Sequence, residues 1–209
     1  MSIVTSKKSP VPEQVKGGNS DTYQSTKFKT TDEARAFFKI AKNRLLDVSR
    51  WHELSGLGSA TFALVDGSGK KVRRLAREGD YLRIDIPGPG SKTGDGYDWV
   101  RLETIKTKNI TDNDYEELSM RARPAKNPKE NSSETAHFFQ DDASSTFVVA
   151  RGNNIVQAEI HGRNELPNVH NETKLDKLRN AVMSVAAILG FSKFQWKKLA
   201  KGIVSKKTA

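Results

Sequence analysis

The feature that most constrains this chain is a change of hydrophobic period, from helical to two and back to helical. Between residues 59 and 163 the predicted strands are Ala60–Val65, Asp80–Ile86, Tyr97–Ile105, Tyr115–Arg123, a stretch over Ala136–Phe139, Ser145–Arg151 and Ile155–Arg163. Alternation sends Leu82, Ile84, Ile86, Val100, Leu102, Leu118, Met120, Ala122, Val156, Ala158 and Ile160 to one face. The other face receives Tyr81, Arg83, Asp85, Trp99, Arg101, Glu103, Ser119, Arg121, Arg123, Gln157, Glu159, His161 and Arg163. An antiparallel sheet with one buried and one wetted face has this pattern, whereas a parallel sheet covered on both faces reads as continuous apolar runs. Asp66-Gly67-Ser68-Gly69 and Arg151-Gly152-Asn153-Asn154 supply turn residues that tolerate positive φ and predict hairpins.

Helical period flanks this region. Ala34, Phe37, Phe38, Ala41, Leu45 and Val48 form one apolar stripe, and Thr30 and Glu33 before it have capping-box spacing. A short second helix is predicted through Ser49–Leu54, ended by Gly56 and Gly58. Near the C-terminus, Thr173 and Asp176 open a stripe of Leu175, Leu178, Val182, Val185, Ala186 and Leu189, a helix of about 24 Å that Gly190 stops. A last helix has Ser192 as cap, Gln195 three residues on, and Phe191 placed to staple onto Trp196. Its Lys193, Lys197 and Lys201 share a face opposite Trp196, Leu199 and Ile203.

The predicted fold class is therefore α+β: a curved antiparallel sheet of about six to seven strands gripping a long C-terminal helix, with two short helices near the N-terminus. The order of elements resembles the START-like helix-grip (SRPBCC) superfamily, which includes lipid-transfer proteins, polyketide cyclases and relatives of the birch-pollen allergen. The resemblance spans roughly Thr22 to Leu189. It is carried by Thr26-Lys27-Phe28-Lys29-Thr30-Thr31-Asp32-Glu33-Ala34, where a strand feeds a capped helix, by Trp51-His52-Glu53, and by the grip helix Leu175–Leu189. It implies a cavity between sheet and long helix that accepts an apolar or aromatic small molecule. Trp51, His52, Phe62, Phe147 and Met183 are the residues expected beside it. The domain is expected over 21–191, after a flexible lead-in at 1–20 and before a basic helix and tail at 192–209.

Charge and composition narrow the function classes. The 209 residues carry a formal +10, but six of those charges are lysines between Lys193 and Ala209, where there is no acid. Residues 1–16 add +2, so 17–192 hold only +2 and the body of the domain is not a basic nucleic-acid footprint. The absence of cysteine excludes disulfide scaffolds, thiolate metal sites and a cysteine nucleophile. No apolar run long enough for a signal or membrane span occurs, so a soluble, cytoplasmic protein is expected. Gly88–Gly96 departs from a phosphate loop, since Ser91 precedes Lys92 and a strand follows.

His161 and Glu165 lie four apart on an extended segment, where they do not converge as on a helix, so no metal site is expected. No cofactor is expected either. The leading reading is a non-catalytic binding protein for a hydrophobic or aromatic molecule. One alternative is a cyclase- or hydrolase-type enzyme using His52 as acid or base. Another is an interaction module in which Lys193, Lys197, Lys198 and Lys201 contact an anionic membrane or nucleic acid. The sequence leaves the oligomeric state open.

Overall fold

Thr30 caps α1 (Thr31–Leu46): its hydroxyl accepts the Glu33 amide at 3.2 Å, and the Glu33 carboxylate accepts the Lys29 amide at 3.0 Å. The reciprocal cap thus reaches one residue further back than the usual box. These elements are described by a computed structural model over residues 9–56, 58–86, 94–111, 114–130, 134–168 and 193–207. α1 buries Ala34, Phe37, Phe38, Ala41 and Leu45, and Val48 prolongs the stripe in a single 3-10 turn before α2 (Trp51–Ser55). Gly56, at φ +76°, ends α2 in the left-handed region that glycine enters without a Cβ penalty.

Seven strands follow the predicted alternation: β1 (Gly18–Lys27), β2 (Thr61–Val65), β3 (Tyr81–Asp85), β4 (Asp98–Ile110), β5 (Tyr115–Pro124), β6 (Ser144–Gly152) and β7 (Ile155–Glu165). All pair antiparallel in the order β1-β7-β6-β5-β4-β3-β2. β1 begins at Gly18, inside the segment assigned from sequence to the lead-in. The Ala136–Phe139 stretch is not a strand. It makes one bridge, Phe139 to Pro167, while Ala136 bonds across to Ala125 and Trp99 through its backbone.

The inner face of the sheet carries the apolar set expected of it, and α1 lies against β6 and β7 on that side. The outer face is wetter but not uniformly so. Glu103 pairs with Arg121 and Arg123 at 2.9 and 2.8 Å, as cross-strand charges should. Trp99, expected on the wetted face, is buried there instead against Val65 and Ala136, with its indole N–H donating to the Gly94 carbonyl at 3.1 Å. The returning 94–97 and 136 segments cover it, a tertiary contact that alternation alone does not reveal.

The C-terminal helix α3, residues 193–203, closes the inner face. Leu199, Ala200, Ile203 and Val204 join the main core, so the basic helix is amphipathic with its apolar side spent inside the protein. Arg44 of α1 holds its end, donating from Nη1 to the carbonyls of Gly202, Ile203 and Ser205 and from Nη2 to that of Lys207. A guanidinium at this position satisfies carbonyls that have no partner within the helix. The predicted helix over 175–189 lies outside the described residues. Sheet order, two helices between β1 and β2, and a C-terminal helix make this the helix-grip arrangement. Among the described residues no helix is long and apolar enough to cross a membrane.

Candidate functional site

Adjacent residues on a helix point about 100° apart, so α2 cannot bury both members of its Trp51-His52 pair. It buries Trp51 completely. The indole N–H donates to the carbonyls of Arg44 and Leu45 at 3.2 and 3.1 Å, which anchors the ring under the end of α1. Phe62 on β2, Phe147 on β6 and Trp196 on α3 gather around it, with ring centroids 5.1, 4.9 and 6.5 Å from that of Trp51. Trp196 also meets Phe147 edge-on at 5.3 Å. Edge-to-face and tilted pairs of this kind each add about 0.5–1.5 kcal/mol beyond area burial.

These four rings line a cavity of about 50 Å3. Trp51, Phe62 and Phe147 are thus brought together around one space. His52 is not: it is exposed, its Nδ1 lies 3.1 Å from the Ser49 carbonyl oxygen, and it does not line the cavity. Met183 lies outside the described residues. Lys193, Lys197 and Lys201 are exposed on α3, and Lys198 Nζ sits 4.4 Å over the ring of Phe194.

The polar end of the cavity consists of Gln195, His137 and Glu165, none of which the sequence placed beside a cavity. Gln195 is buried, accepting the Ala60 amide at 3.0 Å and donating to Ser55 Oγ at 3.3 Å. It therefore ties α3 to α2 and to Ala60 just before β2; the cap expected at Ser192 lies outside the described residues. His137 lines the cavity beside Phe139, whose amide donates to its Nδ1 at 2.9 Å.

Glu165 reaches the cavity because of a bulge. Gly18 pairs with Glu165 and Ser20 with Gly162, so β7 spends three residues where β1 spends two, and Asn164 adopts φ +56°. The extra residue reverses the alternation. His161 stays on the outer face, between Asp21 at 2.6 Å and Glu159 at 2.9 Å, while Glu165 turns inward over Gly162. A Cβ at Gly162 would overlap the Glu165 carboxylate, so glycine there makes the room. The Glu165 carboxylate accepts a long bond from Ser20 Oγ at 3.4 Å. Gly162 and Asn164 are the residues that could have signalled the bulge.

Burial disfavours the charged forms of the ionisable groups at this end. It pushes the Glu165 carboxyl up from the ordinary range, and pushes His137 down to about 3. Asp98, which shares a β4 face with Val100 and accepts the Phe138 amide at 3.1 Å, is pushed up to about 6 for the same reason.

Asp98 therefore contributes stability that is complete below about pH 3.8 and is lost as pH rises through about 6. His137 contributes stability that is complete above about 6.5 and is lost as pH falls toward about 3. The two slopes oppose each other between about pH 4 and 6. Asp98→Asn keeps an acceptor for the Phe138 amide and removes one slope. Wild type should gain on the variant by about 1.4 kcal/mol per pH unit as pH falls across that window. Urea unfolding at the two ends of the window measures it, and a pH-independent difference would contradict an un-ionised Asp98.

Solved structures resemble this chain over most of its length. An uncharacterised protein from Bacillus thuringiensis is 13% identical, covering 90% of this chain and 100% of that one at a TM-score of 0.38. Truncated norcoclaurine synthase from Thalictrum flavum is 9% identical, covering 94% and 100% at 0.40. Ginseng major latex-like protein 151 from Panax ginseng is 9% identical, covering 83% and 96% at 0.31. No protein-family model matches the chain, and no curated protein sequence matches it.

Proposed function

We propose that the chain binds a small apolar or aromatic molecule among Trp51, Phe62, Phe147 and Trp196. The observation that supports this best is the convergence of four rings on one space. A benzene-sized guest occupies a cavity of about 150 Å3, three times the space present. Entry therefore requires a ring to move, and Trp196 is the half-buried one of the four. Toluene should bind saturably and shift the Trp196 ring protons in NMR titration. Ala122→Leu, which fills the space from β5, should weaken binding at least tenfold. Absence of saturable binding to wild type would overturn this reading. A cyclase or hydrolase built on His52 has no geometric support, because that side chain stands outside the cavity.

A second reading concerns α3. Lys193, Lys197 and Lys201 are exposed, and Phe194 beside them is 54% exposed. Lysines at a membrane surface contribute about 1 kcal/mol each toward anionic lipid, and an exposed aromatic favours a membrane over a nucleic acid. Truncation is the wrong test, since it would also take Leu199 and Ile203 out of the core. The double substitution Lys197→Glu with Lys201→Glu changes exposed positions only. It should abolish most salt-sensitive binding of the full chain to phosphatidylserine vesicles. Undiminished binding by the variant, or wild-type binding to DNA but not to vesicles, rejects the membrane reading.

A further inference from the structure

The cavity's polar end has a defined hydrogen-bonding sense. The Phe139 amide donates to His137 Nδ1, so that nitrogen carries the lone pair, and in the neutral ring the proton is on Nε2. His137 is only 9% exposed, and its Nε2 has no hydrogen-bond partner among the described residues. That atom is not among the fully buried side-chain atoms left without a partner, which among the described residues are Ser144 Oγ and Thr146 Oγ1, so it keeps access to open space, and His137 lines the ring-lined cavity. The Glu165 carboxyl borders the same space, delivered there by the β7 bulge.

No lysine or arginine among the described residues lines it. An anionic ligand would lose its hydration and meet a carboxyl with no cation in the lining, Lys193 and Arg163 acting on Glu165 from outside it. A hydroxyl on an apolar ring suits both groups, accepting from His137 Nε2–H and donating its own hydrogen to a Glu165 oxygen.

Resting on the small-molecule reading above, we propose that the site takes an uncharged aromatic ligand bearing a hydroxyl, and that His137 is the residue that selects it over a hydrocarbon or a carboxylate. Burial holds the imidazole neutral through the physiological range, so the donor is present at any working pH. Glu165 is the second contact, and Gly162 is the positioning residue that leaves its carboxylate room.

The test compares phenol, toluene and benzoate, which have rings of one size, as ligands of the full-length protein by NMR titration near pH 7. Phenol is expected to bind about tenfold tighter than toluene, and benzoate no tighter than toluene. His137→Phe should bring the ratio of phenol to toluene affinity down to about one. His137→Gln, whose amide can donate, should restore part of the preference for phenol. Equal affinities of phenol and toluene for wild type would overturn the inference and leave the binding reading intact, as would a phenol preference that survives in His137→Phe. The wild-type comparison holds even if a variant fails to fold. If none of the three binds, the small-molecule reading itself falls.

Discussion

Trp51→Ala is expected to lower folding stability by about 3–5 kcal/mol, the range for truncating a fully buried indole. Two losses combine. The ring leaves a void among Phe62, Phe147 and Trp196, which are fixed to three different elements and cannot all close inward. Its N–H also abandons the Arg44 and Leu45 carbonyls at the end of α1, where no further turn of helix exists to use them. Urea unfolding should show a lower midpoint with an unchanged slope. Trp51→Phe separates the two contributions, since it keeps a ring and loses the donor. Its cost should be clearly smaller than that of alanine. A loss below about 1 kcal/mol for Trp51→Ala would mean that α2 does not hold the ring cluster together.

Gly202→Ala is the second large effect, and its sign is the test. In an ordinary helix this change stabilises by about 1 kcal/mol, because glycine has the greater backbone freedom to lose. Here a Cβ at 202 would overlap the Leu54 carbonyl oxygen and lie 2.8 Å from its carbonyl carbon. Those are backbone atoms of α2, so relief requires α3 to lift away from α2. A cost of about 1–3 kcal/mol is expected, as for other overpacked contacts. Because α3 carries Trp196 and Gln195 into the cavity, the variant should also show altered Trp196 ring shifts in NMR spectra. A gain in stability would show that the α2–α3 contact is looser than the geometry gives it.

Most of the sheet was legible because its period is two and its inner positions from Leu82 to Ile160 are mostly apolar, Asp98 and Ser145 being exceptions. α1 was legible for the same kind of reason, with a cap and a stripe in agreement. The aromatic half of the site followed from the resemblance and from Trp51 lying on a short helix. The polar half did not. His137 sits in an irregular segment whose backbone bonds go to Ala125 and Trp99, so no period describes it. Glu165 follows four residues after His161, and strict alternation puts both on one face. Only an extra residue separates them. Trp99 illustrates the converse case, since it obeyed its alternation and was buried all the same by chain returning from far along the sequence.

That extra residue at Asn164 has a consequence for how such a cavity changes over evolutionary time. The inward carboxyl depends on the bulge taking up one residue between Gly162 and Glu165. Straightening β7 at constant length would put Asn164 opposite Gly18 and turn Glu165 to the outer face. Removing the codon at 164 as the bulge is lost would instead leave Glu165 two places after Gly162, inward and still opposite Gly18. A one-residue deletion there thus keeps the carboxyl in the cavity, so the length of β7 can drift at this point without a change of ligand class.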